Sequence, residues 1–385
     1  MSRLLSRYRK TLALIAGLPW LVLNPCVTVP VGEQSTHSAT DFIHTPFLRP
    51  MNPTPSPQFN TAFTQGASLV HRREFLQSVA ACALTASTSL RPAFAAIQAT
   101  SETLVTQLFR SLSEQQRGLI CRPFDDPLRS KVNNNWMINK SQKEVLNNDQ
   151  QDLVRQIFMG LHSPEYAQRV FDQVVHDSEG DGFAAGTAVA LFGEPGTGKF
   201  EFVLTGRHCT RRCDGDSLEG AAFGGPIFYG HAAKGFREDA QHTGNVYWYQ
   251  AQRANQVFSM LDGKQRATAL VETVRTERET QTVALSGQKQ GLPGIPIASL
   301  AADQKDMVRA VLKDVLAPFR KEDAAESLRL IEPQFESLHM AFCKGMDIGG
   351  DGVWDVWQIE GPQMLWLFRG APHVHVWVHV RDARA

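Results

Sequence analysis

Histidines alternate with valines near the end of the chain, in the segment "APHVHVWVHVRD" that begins at Ala371. Alternate side chains of a β-strand share one face, so one face would carry four valines and the other would carry His373, His375, Trp377 and His379. Four valines on one side are typical of a strand face that is buried in a core. We therefore expect the imidazoles of the opposite face to gather at a shared polar site.

The spacing limits which of these histidines can share an ion. Residues two apart in a strand are separated by about 6.6 Å, so His373 and His375 can converge, whereas His379 lies about 13 Å from His375. Imidazoles are ligands of zinc and of copper, and the sequence does not separate the two metals. His208 in "TGRHC" is the first candidate for a third ligand, and the weaker candidates are Glu360, His339 and Glu201. A polar pocket without metal and a structural role for the histidines remain alternatives.

A second stretch, "ALFGEPGTGKFEF" at 190–202, has the glycines and the lysine of a phosphate-binding loop at Gly193, Gly198 and Lys199. Such a loop also needs a serine or threonine after the lysine, to hold magnesium, and then a helix. Phe200 follows Lys199 instead, and the next residues alternate with the period of a strand. We interpret "EPGTGK" as the turn of a β-hairpin and expect no nucleotide binding despite the match.

Two aspartates, Asp125 and Asp126, precede Pro127 in the loop "FDDP". The favoured interpretation is that they cap and form a turn. In the alternative, one of them is a general base or orients an imidazole from behind. With Glu360, they are the weak candidates for catalytic residues.

Two segments begin like calcium-binding loops, "DSEGDG" at Asp177–Gly182 and "DIGGDG" at Asp347–Gly352. The twelfth position, where a bidentate glutamate is required, is Ala188 in one and Gln358 in the other. We interpret both segments as turns, with weak cation binding as the alternative.

The first hundred residues have the pattern of a targeting segment. Arg72-Arg73 precedes a short apolar stretch and then the small-residue pattern Ala93-Phe94-Ala95, which predicts a twin-arginine export signal over 71–96 with cleavage near Ala95. The destination would be extracytoplasmic, either periplasmic or secreted. Residues 1–70 are predicted to be disordered, since the segment from Leu23 to Ser68 is rich in Pro, Ser and Thr. They are either a genuine amino-terminal extension or the result of a start codon assigned too early, with Met51 as a better one.

The composition excludes several classes of function. Lys plus Arg and Asp plus Glu number 39 each, so no global positive field favours nucleic acid. After the targeting segment, no run approaches the roughly 18 apolar residues that span a bilayer. The four remaining cysteines are too few to build a disulfide scaffold. Cys209 and Cys213 could form one disulfide after export, or simply pack.

The periodicity predicts a single α+β domain over 100–385, with a mostly antiparallel sheet packed with amphipathic helices. A hairpin is expected near 187–206, and "AAFGGPIFYG" is expected to add one or two strands. A C-terminal meander is expected over 337–380, with Gly/Pro turns between its strands. The strands of the meander would be Ser337–Lys344, Val353–Glu360, Gln363–Phe368 and His373–Val380. The helical stretches would be 101–176, with helices at Asn148–Gly160 and Ser163–His176, then 248–278 and 297–331.

Several of these segments together resemble the bacterial domain-of-unknown-function family 3500, over about residues 101–382. The resemblance rests on "GLICRPFDDPLRS", the hairpin, "GGPIFYG", "LDGKQRATAL" and "WQIEGPQMLWLFRGAPHVHVWVHV". It implies an exported α+β domain without an established activity. The polar signature of the family falls on 124–126, His208, 360–362 and 373–375. Many members have two adjacent histidines at the end of the hairpin, where this chain has Arg207-His208. If the site needs both imidazoles, this departure weakens metal binding in this chain.

Two hypotheses for the function follow. The first is an exported metal-binding protein that could be an enzyme, with zinc or copper held by His373, His375 and His208. The second is a non-catalytic extracytoplasmic binding module, in which an aromatic pocket holds a small apolar or sugar-like molecule. The tryptophans of that pocket would be Trp354, Trp357, Trp366 and Trp377, although core packing would explain at least two of them equally well.

Overall fold

The computed structural model describes residues 100–232, 242, 244–273, 275–346 and 352–382. The predictions made for residues 1–70 and for the signal at 71–96 lie outside the described residues. The same is true of the calcium-like loop Asp347–Gly352, apart from its last glycine.

Eleven described strands form one sheet that is mostly antiparallel. In spatial order the strands run β1-β2-β3-β4-β5-β11-β10-β9-β8-β6, with β7 beside β8. Among the described pairs, β1–β2 and β6–β8 are parallel and the others antiparallel. The strands are β1 Cys121–Arg122, β2 Thr187–Gly193, β3 Phe200–Gly206, β4 Cys209–Cys213, β5 Ile227–His231, β6 Leu270–Val271, β7 Ile295–Pro296, β8 His339–Cys343, β9 Val356–Gly361, β10 Met364–Arg369 and β11 Val374–Val380.

Ten α-helices accompany the sheet in the described part of the chain, which confirms the α+β fold class. None of these helices is both long enough and apolar enough to cross a membrane. The helices are α1 Ser101–Ser111, α2 Glu114–Ile120, α3 Gln142–Val145, α4 Asn148–Gly160, α5 Ala167–Asp177, α6 Phe183–Gly186, α7 Trp248–Met260, α8 Gly263–Ala269, α9 Ala302–Leu316 and α10 Lys321–Ile331.

The hairpin predicted near 187–206 is confirmed. Strands β2 and β3 pair antiparallel from Thr187 with Gly206 to Gly193 with Phe200. The chain therefore continues as a strand directly after Lys199, where a phosphate-binding loop would continue as a helix. The predicted C-terminal meander is also present, as β8 to β11.

The hairpin block and the meander form a single sheet because β5 pairs antiparallel with β11. In this register His375 lies opposite Gly230, and Val374 lies opposite His231. The pairing brings the end of β5 and the beginning of β11 to the same end of the sheet. The turn between β3 and β4, which contains His208, neighbours β5 through β4. The histidines of distant segments thus meet at this end of the sheet.

The two faces of β11 differ as the alternation predicts. Val374, Val376, Val378 and Val380 are all buried in the main core, against the helices. On the opposite face Trp377 belongs to a small second core that also contains Val132, Phe228, Val283, Leu365 and Leu367. The histidine face is therefore covered as well.

The four tryptophans of the aromatic-pocket hypothesis do not lie on one cleft. Trp357 and Trp366 are fully buried in the main core, and the ring of Trp357 stacks on Phe368 at 5.4 Å. Trp377 lies in the second core on the other face of the sheet. Trp354 is partly buried against Phe258. In these positions the indoles act as packing groups of two separate cores.

The helical prediction for 248–278 is wrong beyond Ala269. Leu270 and Val271 form β6, where Leu270 pairs in parallel with Phe342 of β8. In the described residues that follow, the next helical element is the short 3-10 turn Gln281–Val283. Leu270 was counted in the helical pattern, but its apolar side chain belongs to the sheet.

The helix predicted from Ser163 begins only at Ala167. Ser163 is bound to another segment, since its amide donates to the carbonyl of Pro318 at 3.0 Å and its hydroxyl donates to the carbonyl of Ala317 at 2.8 Å. These tertiary bonds hold residues 163–166 as a turn before the helix.

The cysteines at the two ends of β4 are free thiols that pack. Cys209 and Cys213 are both buried in the main core. Four residues along a strand separate Cα atoms by about 13 Å, and a disulfide requires less than about 7 Å. Of the two alternatives left by the sequence, the disulfide is excluded within β4.

Candidate metal centre

Three histidines from two segments of the chain meet at one end of the sheet. His208, His373 and His375 are all buried, and each offers a ring nitrogen that lies within 4.8 Å of the other two. The Nε2 atom of His375 lies 2.8 Å from Nε2 of His373 and 3.3 Å from Nε2 of His208. The structure therefore brings together all three of the residues that the sequence analysis selected.

The backbone positions these rings by two local features. His208 lies in the tight turn between β3 and β4 with a left-handed backbone (φ 53°), and its amide donates to the carbonyl of Asn134 at 2.8 Å. Opposite His375, β5 has Gly230, where a Cβ atom would lie 2.2 Å from the carbonyl oxygen of Val374 and 3.4 Å from Cδ2 of His208. The missing side chain leaves the space in which the three rings meet.

Two carboxylates hold two of the imidazoles from behind. Nδ1 of His208 lies 2.7 Å from Oδ2 of Asp177, and Nδ1 of His375 lies 2.6 Å from Oε2 of Glu277. A carboxylate accepts a hydrogen bond, so in the neutral form of each ring Nδ1 carries the proton and Nε2 keeps its lone pair. The same arrangement of carboxylate behind histidine orients the imidazole ligands of many metal sites.

The dimensions of the cluster can be compared with those of a tetrahedral site. Zn–N bonds of about 2.0–2.1 Å place two nitrogens about 3.3 Å apart and the centroids of their rings about 5 Å apart. The ring centroids here are 5.0 Å apart for His208 and His373, 5.1 Å for His208 and His375, and 4.6 Å for His373 and His375. The cluster has the size that a single ion requires, with His373 and His375 slightly too close.

The electrostatic environment keeps the carboxylates charged and His375 neutral. Burial alone would raise the pKa of Glu277, but the hydrogen bond from His375 and the guanidinium of Arg369 lower it to about 2. Arg369 donates from Nε to Oε1 of Glu277 at 2.5 Å. Burial, assisted by the charge of Arg369, lowers the pKa of His375 to about 3. A neutral imidazole is the form that binds a metal.

Asp177, the last residue of α5, is held by several donors. Its Oδ2 accepts from Nε2 of Gln173 at 2.9 Å and from the amide of Ala232 at 3.2 Å, besides the bond to His208. Burial would raise the pKa of Asp177, but these histidine contacts lower it overall. Its other oxygen, Oδ1, lies 3.4 Å from Nδ1 of His231.

On the outer side of Asp177 there is a second group of histidines. The rings of His176, His231 and His242 have centroids 5.7–6.1 Å apart and are nearly parallel. With Arg169 and Asp172 they line a surface pocket of about 280 Å³. Their nitrogens do not meet the spacing found for the first cluster. Asp177 thus separates a convergent cluster inside from a surface pocket outside.

The weaker ligand candidates lie elsewhere in the described structure. Glu360 forms an ion pair with Arg275 and accepts from Gln358, and burial raises the pKa of its carboxyl. His339 lies opposite Glu360 in the register of β8 and β9. Glu201 is fully buried between Arg129 and Arg212. None of these side chains belongs to the cluster.

The two aspartates of "FDDP" lie in the turn that the sequence indicates. Oδ1 of Asp126 accepts from the amide of Leu128 at 2.9 Å, which caps the 3-10 turn Pro127–Ser130. Asp126 also lies 3.6 Å from Arg122. Asp125 is exposed. Neither carboxylate is among the partners of the clustered histidines.

Asp177 and Glu277 are the residues that the sequence analysis missed. Asp177 was considered only as the beginning of a calcium-like loop, and Glu277 was assigned to a helix that ends before it. An aspartate at the end of an amphipathic helix could have drawn attention to position 177. Nothing in the local sequence distinguishes Glu277 from the neighbouring glutamates.

The fold and the cluster define an α+β protein with three convergent, buried histidines supported by two carboxylates. The sequence profile of the family described as "Protein of unknown function (DUF3500)" matches residues 95–384, so this chain belongs to that family. No curated protein and no solved structure matches the chain.

Proposed function

We propose that this protein binds one transition-metal ion, zinc or copper, through the Nε2 atoms of His208, His373 and His375. The observation that carries this proposal is the convergence of two lone pairs. Separate carboxylates fix the Nδ1 protons of His208 and His375, and their Nε2 atoms lie 3.3 Å apart.

Two lone pairs at this distance repel each other unless a positive charge lies between them. A proton is a poor solution for His375, because burial lowers the pKa of its ring to about 3. A metal ion accepts both lone pairs and also the Nε2 atom of His373. The proposal therefore explains why buried polar rings face one another in this position.

The arrangement of the ligands favours some metals over others. Three mutually close nitrogens leave the fourth position of a tetrahedron open. This geometry suits zinc and reduced copper better than oxidised copper, which prefers square-planar coordination. Bound zinc would supply a Lewis acid that activates water, and bound copper would supply a redox centre. In either case Asp177 and Glu277 hold the rings, and Arg369 holds Glu277 in place.

A binding module with an aromatic pocket is the less supported function. Its indoles would have to line one cleft, but Trp357 and Trp366 pack in the main core and Trp377 in the second core. The metal hypothesis requires only side chains that already lie together.

The test is a measurement of bound metal in the purified protein by mass spectrometry, before and after equilibration with zinc or copper(I). We expect one equivalent of metal in the parent protein and its loss in His375→Ala and His373→Ala. His379→Ala is a matched control, because it removes an imidazole from the same face of β11 outside the cluster. Circular dichroism establishes that each variant is folded. A folded parent that takes up neither metal, or a His375→Ala variant that retains it, would refute the proposal.

We further propose that the protein is exported through the twin-arginine route and works outside the cytoplasm. Support comes from Arg72-Arg73, from the cleavage pattern at 93–95, and from the start of the family match at residue 95. Replacing Arg72 and Arg73 by lysines is expected to retain the protein inside the cell. Mass spectrometry of the exported protein is expected to show an amino terminus at Ala96. Unchanged export of the lysine variant, or an uncleaved exported chain, would contradict this route.

A further inference from the structure

A separate cavity of about 400 Å³ lies toward the other end of β11. His379 lines it, four residues from His375 and therefore about 13 Å along the strand. The indole of Trp377 is fully buried between these two positions. The apolar part of the lining consists of Leu218, Ala221, Pro226, Val283 and Ala284. The cavity is thus distinct from the histidine cluster and is suited to an apolar group.

The charged groups of the lining are basic. Arg129 and Arg381 line the cavity beside the uncharged side chains of Ser130, Thr280 and His379, and no carboxylate does so among the described residues. The guanidinium of Arg381 forms no ion pair within the described part of the chain, whereas Arg129 and Arg212 each pair with Glu201. An unpaired cation beside an apolar wall is a site for an anion.

A second guanidinium lies directly behind the cavity wall. Arg212 and Arg129 share a single carboxylate, that of the fully buried Glu201. A Cβ atom on Gly225 of the wall would lie 3.6 Å from Nε of Arg212. Two guanidinium groups therefore share one carboxylate, which leaves one excess positive charge at the wall of the cavity.

The carboxylate of Asp214 offsets part of the positive charge around the cavity, and Arg381 remains without a carboxylate partner in the described part of the chain. Asp214 lies behind Gly224, and its two oxygens accept from the amides of Asp216 and Leu218. Burial raises the pKa of Asp214 to about 6, so the carboxyl is still mostly ionised at neutral pH, and its two oxygens face these amides. The imidazole of His379 contributes an acceptor, since its Nδ1 donates to the carbonyl of Val283 at 2.9 Å.

We propose that this cavity binds a small carboxylate with an aliphatic body. The carboxylate pairs with the guanidinium of Arg381 in the field of Arg129 and Arg212, and the aliphatic body lies against the apolar lining. The volume is within the range of about 300–1,000 Å³ that is typical of small-molecule sites. The site does not require a metal in the histidine cluster.

The experiment measures the binding of decanoate to the purified protein by isothermal titration calorimetry, with decanol and acetate as partial ligands. We expect one decanoate per chain, and at least about tenfold weaker binding of decanol, because it lacks the charge that Arg381 recognises. Acetate, which lacks the aliphatic body, is expected to bind at least about tenfold more weakly as well. Arg381→Met keeps most of the aliphatic stem and is expected to weaken decanoate by about tenfold or more.

The control for the loss of one positive charge is Arg329→Met, because the Arg329 side chain is 74% exposed on α10. It is expected to bind decanoate like the parent. No binding of decanoate, equal binding of decanol, or an Arg381→Met variant that binds like the control would each overturn the proposal. His375→Ala is expected to bind decanoate normally, so a failure of the metal proposal is distinguishable from a failure of this one.

Discussion

Replacing Glu277 by glutamine tests whether the carboxylate behind His375 orients it as a ligand. The two oxygens of Glu277 accept from two donors, Nδ1 of His375 at 2.6 Å and Nε of Arg369 at 2.5 Å. A glutamine has one acceptor oxygen and one NH₂ group. If the oxygen faces Arg369, the NH₂ group faces Nδ1 and favours the tautomer with a proton on Nε2. If the oxygen faces His375, the NH₂ group meets the guanidinium.

Either orientation loses one hydrogen bond to a charged group, which contributes about 1.5–3 kcal/mol. If this loss falls on the metal-bound state, the dissociation constant rises about 10- to 100-fold. A competition titration of zinc against a coloured chelator measures this change, on protein first stripped of metal. The melting temperature of the metal-free variant, measured in parallel, separates a loss of affinity from a loss of fold.

Glu279→Gln is the matched control, two residues further along the chain. The carboxylate of Glu279 is 56% exposed and lies 3.4 Å from Lys131. The substitution therefore removes the same charge without changing a group that contacts the histidines. We expect its zinc affinity to stay within about twofold of the parent. If Glu277→Gln and Glu279→Gln weaken zinc binding by the same factor, the carboxylate of Glu277 acts only through its charge, and the argument from tautomers is refuted.

Three further predictions concern stability. Gly230→Ala is expected to lower the free energy of unfolding in urea by about 1–3 kcal/mol, because its Cβ would lie 2.2 Å from the carbonyl oxygen of Val374. Gly118→Ala is the control and is expected not to destabilise the protein, because a Cβ there would meet open space. His208→Gly is expected to be about 1 kcal/mol more stable than His208→Ala without metal, since only glycine adopts φ 53° without cost, and equal stability would contradict this. For Glu326, burial and neighbouring carboxylates raise the pKa to about 7, so its stabilising contribution is complete below pH 4.5 and is lost as the pH rises through 7. Glu326→Gln should therefore melt above the parent at pH 8 and alongside it at pH 4, and a gain that does not depend on pH would refute the assignment.

Much of the fold could be predicted because local patterns specify it. The alternation of valines with histidines predicted which residues lie on each face of β11. The Gly/Pro turns predicted where the strands of the meander begin and end. The pairing of β5 with β11 could not be predicted, because strands that pair across distant segments carry no local record of their partner. The segment after Ala269 was misassigned because Leu270, an apolar residue counted in the helical pattern, belongs to β6.

The histidines of the site were accessible to sequence reasoning and their carboxylates were not. His373 and His375 share a face by their spacing alone, and His208 stands at the end of a recognisable hairpin. Asp177 lies at the end of a helix and Glu277 lies in an irregular segment. Neither position has a periodicity that tells which way its side chain points, so only tertiary structure brings these residues to the rings.

The charges around the cluster constrain what occupies it. Asp177 and Glu277 have lowered pKa values and carry one negative charge each, while Arg369 supplies one positive charge. The groups around the three rings thus have a net charge of about −1, which favours a cation, because uncompensated buried charge is costly. Copper(I) would bring this sum to zero, whereas a divalent ion would leave one positive charge that an anionic fourth ligand can balance. Azide should therefore change the visible spectrum of the cobalt(II)-loaded protein, and an unchanged spectrum would contradict this charge argument.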